Sequence, residues 1–355
     1  MQETKIRIGI TQGDINGIGY EVIIKTLMDA RILEICTPVI YGSPKVAAYH
    51  RKVLNIENFN IHTIQSINDI HDKRVNIINC VDEEIRVELG KSTVVAGEAA
   101  YLSLKAAVHD LKEGKIDALV TAPINKVNIQ SDNFRFSGHT EYFQSVFATN
   151  DVLMFMVSDV LKIGVVAGHV PMSKLKDYIT REKILSKLRI LNSSLIKDFT
   201  IRRPKIAVLG FNPHAGDDGL LGDEELTDII PAIREANKEN ILAFGPYPAD
   251  GFFGSGAFKK FDAILAMYHD QGLIPFKTLI VDEGVNYTAG LPIIRTSPAH
   301  GTAYEITGKD EADFGSFRNA LYLACDISKN RKQNREISRN PLGYGLPEEL
   351  QSAKE

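Results

Sequence analysis

The stretch Lys162-Ile-Gly-Val-Val-Ala-Gly-His169 reads as a short buried strand that leaves its sheet through a glycine and a histidine. The same grammar recurs at residues 6–10, 116–121, 206–210 and 261–267, each a β-rich apolar run with a Gly-, Pro- or His-bearing exit. Helical periodicity follows or intervenes at 97–113, 181–197 and 223–238, where apolar residues return every three or four positions. Strands that alternate with helices predict an α/β fold built on largely parallel sheets. With 355 residues the chain is long enough for two intimate subdomains with a cleft between them. No linker-like segment marks a boundary, and the polar stretch 328–355 reads as a terminal helix or loose end.

Three of the nine histidines stand directly at strand exits: His169, His214 in 206-Ile-Ala-Val-Leu-Gly-Phe-Asn-Pro-His, and His269 in 264-Ile-Leu-Ala-Met-Tyr-His. In an open parallel sheet the carboxyl ends of the strands share an edge, which is where ligands bind. Three imidazoles there could converge on one catalytic divalent ion, most naturally zinc, with cobalt, nickel, manganese or magnesium as substitutes. Separate catalytic or core histidines fit the spacing as well. His139, Thr140, Asp250, Lys277, Asn286 and Arg295 occupy similar Gly/Pro-rich exits. So do Ser137-Gly-His-Thr140 and 121-Thr-Ala-Pro-Ile-Asn-Lys126, which together offer hydroxyls, an imidazole and an amine. Lys, Asn and Arg at such ends suit a phosphate or carboxylate held by charge-assisted bonds.

Composition narrows the classes. The net charge of −4, from 41 basic and 45 acidic residues without a long basic run, argues against a nucleic-acid partner. Apolar stretches of about six residues are too short to span a bilayer, so no membrane partner is expected. The N-terminus opens polar, without the apolar core of a secretory signal, and three cysteines with no close pair suggest plain core thiols; together these predict a cytoplasmic protein. Neither G-x-G-x-x-G nor a P-loop occurs, and Gly13-Asp-Ile-Asn-Gly-Ile-Gly19 is either a tight strand-to-helix turn or a ligand contact.

Taken in order, Ile8-Gly-Ile-Thr-Gln-Gly-Asp14, the Thr121 to Lys126 segment, Gly138-His-Thr-Glu141, Gly168-His-Val-Pro171, Asn212-Pro-His-Ala-Gly216, Pro248-Ala-Asp250, Ala266-Met-Tyr-His-Asp-Gln-Gly-Leu-Ile-Pro275, Gly284-Val-Asn286 and Gly290-Leu-Pro-Ile-Ile-Arg-Thr-Ser297 make the chain resemble the 4-hydroxythreonine-4-phosphate dehydrogenase (PdxA) family. The resemblance implies an isocitrate/isopropylmalate dehydrogenase-like fold. It implies metal ligands at His169, His214 and His269, and substrate contacts at His139, Thr140, Lys277, Asn286 and Arg295. Ala299-His-Gly-Thr-Ala-Tyr-Glu-Ile-Thr-Gly-Lys309 looks like the nucleotide loop of those dehydrogenases, which assigns His300, Gly301, Thr302 and Gly308 to NAD.

The implied activity is NAD- and metal-dependent oxidation of 4-phosphooxy-threonine to the 3-oxo acid, which then decarboxylates to 3-amino-2-oxopropyl phosphate in pyridoxal phosphate (vitamin B6) biosynthesis. Asp250 and Lys277 are the catalytic candidates. Close alternatives are 4-phosphothreonate or 4-phosphoerythronate as substrate; a phosphate-handling acyl transferase or hydrolase and a non-catalytic metal-binding protein are remote ones. Two departures bear on the substrate: Ile15 and Tyr20 stand where the family usually has prolines, and Gly251 follows Asp250 where it often has threonine.

The expected division is 1–130 plus 300–355 for a domain carrying part of the NAD site, and 131–299 for metal, substrate and dimerisation. A homodimer with shared sites is implied, His269 crossing the interface to His169 and His214 of the other chain. Residues Leu273, Ile274 and Phe276 are read as a loop that either packs under its own domain or covers the partner's cleft.

Overall fold

The computed structural model describes residues 5–82 and 84–339. Of the sequence-based expectations, the stretch 340–355 of the C-terminal domain and tail lies outside the described residues. The strands are β1 (Ile6–Thr11), β2 (Cys36–Gly42), β3 (Ile61–Ile64), β4 (Val75–Asn79), β5 (Ala118–Thr121), β6 (Leu153–Val157), β7 (Lys162–Ala167), β8 (Lys205–Leu209), β9 (Leu242–Tyr247), β10 (Ala263–Tyr268), β11 (Val285–Ala289) and β12 (Arg295–Pro298). They form one continuous 12-stranded sheet in the order β3-β4-β2-β1-β5-β12-β11-β6-β7-β10-β8-β9. The two halves expected from the sequence therefore share a sheet instead of having one each.

Both outer blocks are parallel, whereas β11 runs antiparallel to β12 and β6, and β6 antiparallel to β7. That seam reverses the sheet, so the block β7-β10-β8-β9 points opposite to the block β3-β4-β2-β1-β5-β12. Parallel neighbours need crossover connections. These are the helices α1 (Gly19–Leu27), α2 (Pro44–Val53), α3 (Val94–Lys112), α4 (His139–Val146), α5 (Arg181–Lys197), α6 (Ile230–Lys238), α7 (His269–Leu279) and α8 (Gly315–Ser338), with shorter turns between them. Hydroxyl caps start several of them: Ser43, Thr93 and Thr180 each accept a hydrogen bond from the amide three residues on.

One sheet face is covered from end to end by a single apolar cluster under α1, α5 and α8. The other face carries two separate clusters, one around β2, β5, α3 and α4, the other around β7, β10 and α7. The gap between them lies over the antiparallel seam.

Two local readings are resolved. The turn after β1 is structural: Gly13 adopts φ +68°, and a Cβ there would stand 2.4 Å from the Pro123 carbonyl oxygen. Ile15 and Tyr20, the two departures, are fully buried in the core. The Ile15 carbonyl accepts from His50 Nε2 at 2.8 Å, while the Tyr20 hydroxyl donates to Gln12 Oε1 at 2.7 Å and accepts from Ser43 N at 2.9 Å. The segment after His269, expected as a loop, is helix α7. Gly272 lets it approach the sheet, for a Cβ there would meet Ile163 at 2.9 Å and Ala266 at 3.1 Å. Leu273 and Phe276 are buried under their own chain, and only Ile274 of the three faces outward.

Behind β11, on the continuous-core face, Asp198 is 3% exposed and accepts from Arg331 Nε at 2.6 Å, the Tyr287 hydroxyl at 2.7 Å and Ser194 Oγ at 2.7 Å. Removing one partner of a buried pair leaves the other charge uncompensated. Asp198→Ala should lower unfolding free energy by about 3 kcal/mol in urea titration. Tyr287→Phe, which spares the ion pair, should cost only about 1 kcal/mol; equal losses would deny the ion pair its role.

Candidate active site

A cavity of about 310 Å³ occupies the gap over the seam. Its floor is the exposed register of the central strands: Met154 and Met156 of β6, Asn286 of β11, and Arg295 and Ser297 of β12. These positions share a face because Asn286 pairs with Met156 on one side and Ser297 on the other. One wall comes from the carboxyl end of β5 and the start of α4, with Thr121, Lys126, His139, Thr140 and Glu141; the facing wall holds His169, His269, Leu273 and Lys277.

Arg295 is 3% exposed and has only hydroxyl partners, Thr121 Oγ1 at 2.7 and 3.1 Å and Thr288 Oγ1 at 3.3 Å. Burial pulls its guanidinium down to about 9, partly offset by Glu141. Beside it, His139 is held well below its ordinary value by burial and by the charges of Arg295 and Lys126, which keeps it neutral. Glu141 Oε1 stands 3.9 Å from His169 Nδ1, a contact that holds this carboxyl at about 2, with smaller help from Ser137. Three buried polar atoms of the lining have no hydrogen-bond partner: His139 Nε2, Asn286 Oδ1 and His300 Nε2. Such atoms are places where a ligand or an ordered water can complete the bonding.

On adjacent parallel strands, Tyr268 pairs with Ala167, so His269 and His169 leave the sheet side by side with ring centroids 5.7 Å apart. The His269 Nδ1 bonds Asp270 Oδ1 at 2.6 Å, and His169 Nδ1 faces Glu141. Both Nε2 atoms are thereby left for a metal, the arrangement in which a carboxylate behind an imidazole orients it. Imidazoles backed by carboxylates suit a divalent ion.

His214 is not with them. It lies five residues beyond β8 in a left-handed turn, φ +53°, and is exposed. Among the described residues no group of three or more His, Cys, Asp or Glu side chains could hold a metal within one chain. The expected split, His269 against His169 and His214, is revised accordingly: a single chain brings His169 and His269 together. Asp250, a catalytic candidate, is exposed in the turn Ala249–Gly254, outside the cavity of its own chain.

The other assignments divide. His139, Thr140, Lys277, Asn286, Arg295, His300 and Gly301 line the cavity. Thr302 and Gly308 do not; the Thr302 carbonyl instead accepts from Ile18 N at 3.0 Å, seating the 299–309 segment on the first turn. Tyr304 ties the same segment down, its hydroxyl donating to Asp14 Oδ2 at 2.7 Å. Glu141 went unassigned in the sequence reading, although it stands in the Gly138 to Glu141 motif; its distance from His169 in sequence hid the contact.

Residues 34–324 match the family described as pyridoxal phosphate biosynthetic protein PdxA. A protein of Bacteroides thetaiotaomicron named 4-hydroxythreonine-4-phosphate dehydrogenase is 53% identical over 344 residues, covering 96% of this chain and 94% of that one. A protein of Oceanobacillus iheyensis provisionally named D-threonate 4-phosphate dehydrogenase is 39% identical over 329 residues, with 91% and 98% coverage. The crystal structure of a Klebsiella pneumoniae 4-hydroxythreonine-4-phosphate dehydrogenase superimposes with a TM-score of 0.81 at 31% identity, over 92% of this chain and 99% of that one.

The depressed imidazoles predict a pH dependence. His139 is lowered well below 6.5, and His50, buried against Ile15, is lowered to about 4. Because their folded values lie below the unfolded one, their contribution to stability is present above pH 6.5 and is lost as pH falls towards 4. His50→Gln should flatten the fall in urea-unfolding free energy over that window, and an unchanged slope would count against a neutral buried His50.

Proposed function

The chain belongs to the PdxA family, and from that premise we propose that it oxidises the secondary alcohol of 4-phosphooxy-threonine, with NAD as acceptor and one divalent metal. The reading is of an oxidoreductase whose 3-oxo acid product loses CO2. The single observation that carries it is the cavity in which a buried, carboxylate-free Arg295 faces the paired His169 and His269.

When bound, the metal supplies Lewis acidity at the carbinol oxygen and NAD takes up the hydride. The chain's own residues do the rest. Arg295 and Thr140 hold the anionic end of the substrate, with neutral His139 able to donate or accept through Nε2. Asn286 offers an unpaired carbonyl oxygen to a substrate N–H or O–H. Lys277 on α7 lines the opposite wall and can hold carboxylate or relay the hydroxyl proton. His169 and His269 would hold the metal through their free Nε2 atoms. The unpartnered His300 Nε2, with Gly301 beside it, is where we place the nucleotide.

Two protomers complete the site in this reading. His214 and Asp250 lie outside their own cavity, so a homodimer would supply them to the partner, Asp250 as the candidate base and His214 as third ligand. We carry forward the domain division at about residues 130 and 300. A cytoplasmic setting is supported by the three free cysteines. Among the described residues, no helix is long and apolar enough to cross a membrane. The second reading, oxidation of 4-phosphothreonate, is favoured by the Oceanobacillus relative and by Gly251 standing after Asp250 where the family often has threonine.

The deciding experiment follows reduced-nicotinamide absorbance with each phosphorylated four-carbon acid, with and without chelator. Turnover that chelation abolishes supports the reading; phosphate release without NAD would replace it with phosphate-handling chemistry. His169→Ala and His269→Ala should each lower metal content, with at least a ~10-fold loss in affinity. Lys277→Ala should weaken substrate binding by about 1.5 to 3 kcal/mol in calorimetry.

Chain mixing tests the sharing. His169→Ala mixed with His214→Ala should restore one intact site per heterodimer, whereas His169→Ala mixed with His269→Ala should restore none. The reverse outcome would reinstate the division expected from sequence, and no rescue in either mixture would mean self-contained sites.

A further inference from the structure

Ala299, His300 and Gly301 line the cavity at the head of a segment, 299–309, that belongs to no strand beyond Pro298 and holds only the short turn Tyr304–Ile306. Ala303, just before that turn, is left-handed at φ +42° without being glycine. A conformation of this kind persists only where the surroundings over-determine it. On one side of Ala303 the Thr302 carbonyl accepts from Ile18 N, and on the other the Tyr304 hydroxyl donates to Asp14 Oδ2. Burial and this bond push the Tyr304 hydroxyl up to about 12, so it keeps the proton that it donates.

Asp14 is a hub. It is fully buried, and among the described residues no cation pairs with it. Its carboxylate is met by donors alone: Asn16 N at 2.9 Å on Oδ1, with the Tyr304 hydroxyl and Asn128 Nδ2, both at 2.7 Å, on Oδ2. Hydrogen bonds to a charged acceptor are the strong ones, and here one oxygen holds two segments. Asn128 follows the loop that brings Thr121 and Lys126 to the cavity, and Asp14 N donates to Pro123 O of that loop at 2.9 Å. Among the described residues the Asn128 side chain has no anchor beyond Asp14 and, at 3.4 Å, the Tyr304 hydroxyl, for its Oδ1 is buried without a partner. The wall that begins at His300 and the wall that carries Lys126 are thus fixed to each other through one buried carboxylate.

We propose that Tyr304 is a positioning residue: its hydroxyl, through Asp14, latches His300 and Gly301 in the place where they receive the dinucleotide, in register with the wall at 121–126. This deepens the proposed reading and rests on it for the identity of the ligand at His300, though not for the latch itself. Tyr304 does not line the cavity, so its loss acts on the population of the binding-competent segment and not on the chemical step.

Tyr304→Phe keeps the ring and loses the hydroxyl. Tyr20→Phe is the control, since it loses a buried hydroxyl at the start of α1 that bonds Gln12 and not the segment. Hydrogen exchange of the ligand-free full-length protein should be faster at 302–307 in Tyr304→Phe and unchanged there in Tyr20→Phe, while the loop at 122–129, still held by Asp14, keeps its protection in Tyr304→Phe. In turnover Tyr304→Phe should raise the KM for NAD about 10-fold, the effect of one charged hydrogen bond, and leave kcat at saturating NAD and the KM for the phosphorylated acid within about twofold. Asp14→Asn, which strikes the hub, should loosen both segments and raise both KM values; should it fail to fold, Tyr304→Phe decides alone. The proposal is overturned if exchange at 302–307 does not change in Tyr304→Phe, if kcat falls while the KM for NAD stays, or if Tyr20→Phe raises the KM for NAD equally. If exchange responds as expected but the wild-type protein neither binds nor reduces NAD, the latch stands and the dinucleotide assignment fails together with the dehydrogenase reading.

Discussion

The antiparallel seam at β12, β11 and β6 is the constraint on which the rest of the molecule depends. Parallel blocks must be joined by helices that lie on the sheet faces. With every strand in one direction, both faces would close over as continuous core. Reversal at the seam instead places the carboxyl ends of β5 and of β7 and β10 on different blocks, each with its own helix cluster on the cavity side. The centre of that face stays uncovered, and the strands beneath it supply a floor of fixed geometry.

A floor of this kind accepts polar residues that an ordinary core would reject. Arg295 is the extreme case: a buried guanidinium normally requires a carboxylate, and taking it out of water unpaired is expensive. Thr121 and Thr288 meet three of its N–H groups with neutral oxygens, which orients the charge without cancelling it. A carboxylate in either position would stabilise the free protein and quench the anion site. The lowering of His139 has a related origin: burial disfavours its charged form first, and the charges of Arg295 and Lys126, which would attract an anion, add to it by repelling a proton.

How far the sequence revealed this follows from range. Alternation of strands and helices, the helix 181–197 and the strand 162–167 were legible because each depends on local periodicity. His169 and His269 were legible as strand-exit imidazoles, but the expectation divided them between two chains; that they stand together in one follows from the pairing of β7 with β10, which leaves no local trace. His214 was expected beside His169, but it stands one strand further out, and a run of left-handed residues from His214 to Asp218 carries it off the shared edge. No residue pattern announced that turn, for most of those positions are not glycine. Helix α7 was read as a loop because Gly272 and Pro275 look like breakers, while the reason for Gly272 is the closeness of Ile163 and Ala266, a tertiary fact. Merging of the two expected halves into one sheet depends on pairings between segments far apart in sequence, such as Asn286 with Met156, and these leave no local trace.

β11 shows how the site is held in register. Its residues alternate in allegiance: Asn286 and Thr288 serve the cavity, while Tyr287 between them bonds Asp198 and Arg331 on the opposite face. A slip of one residue would drive Tyr287 into the cavity and leave Asn286 facing an apolar core beside an Asp198 deprived of its phenol partner. Each face therefore penalises the error that the other would also detect. In most buried strands apolar alternation fixes register only weakly, because either face accepts Val or Ile. Here polar groups with unlike partners on the two faces fix it in both directions, and Asn286 lines the cavity for the same reason that Tyr287 points away from it.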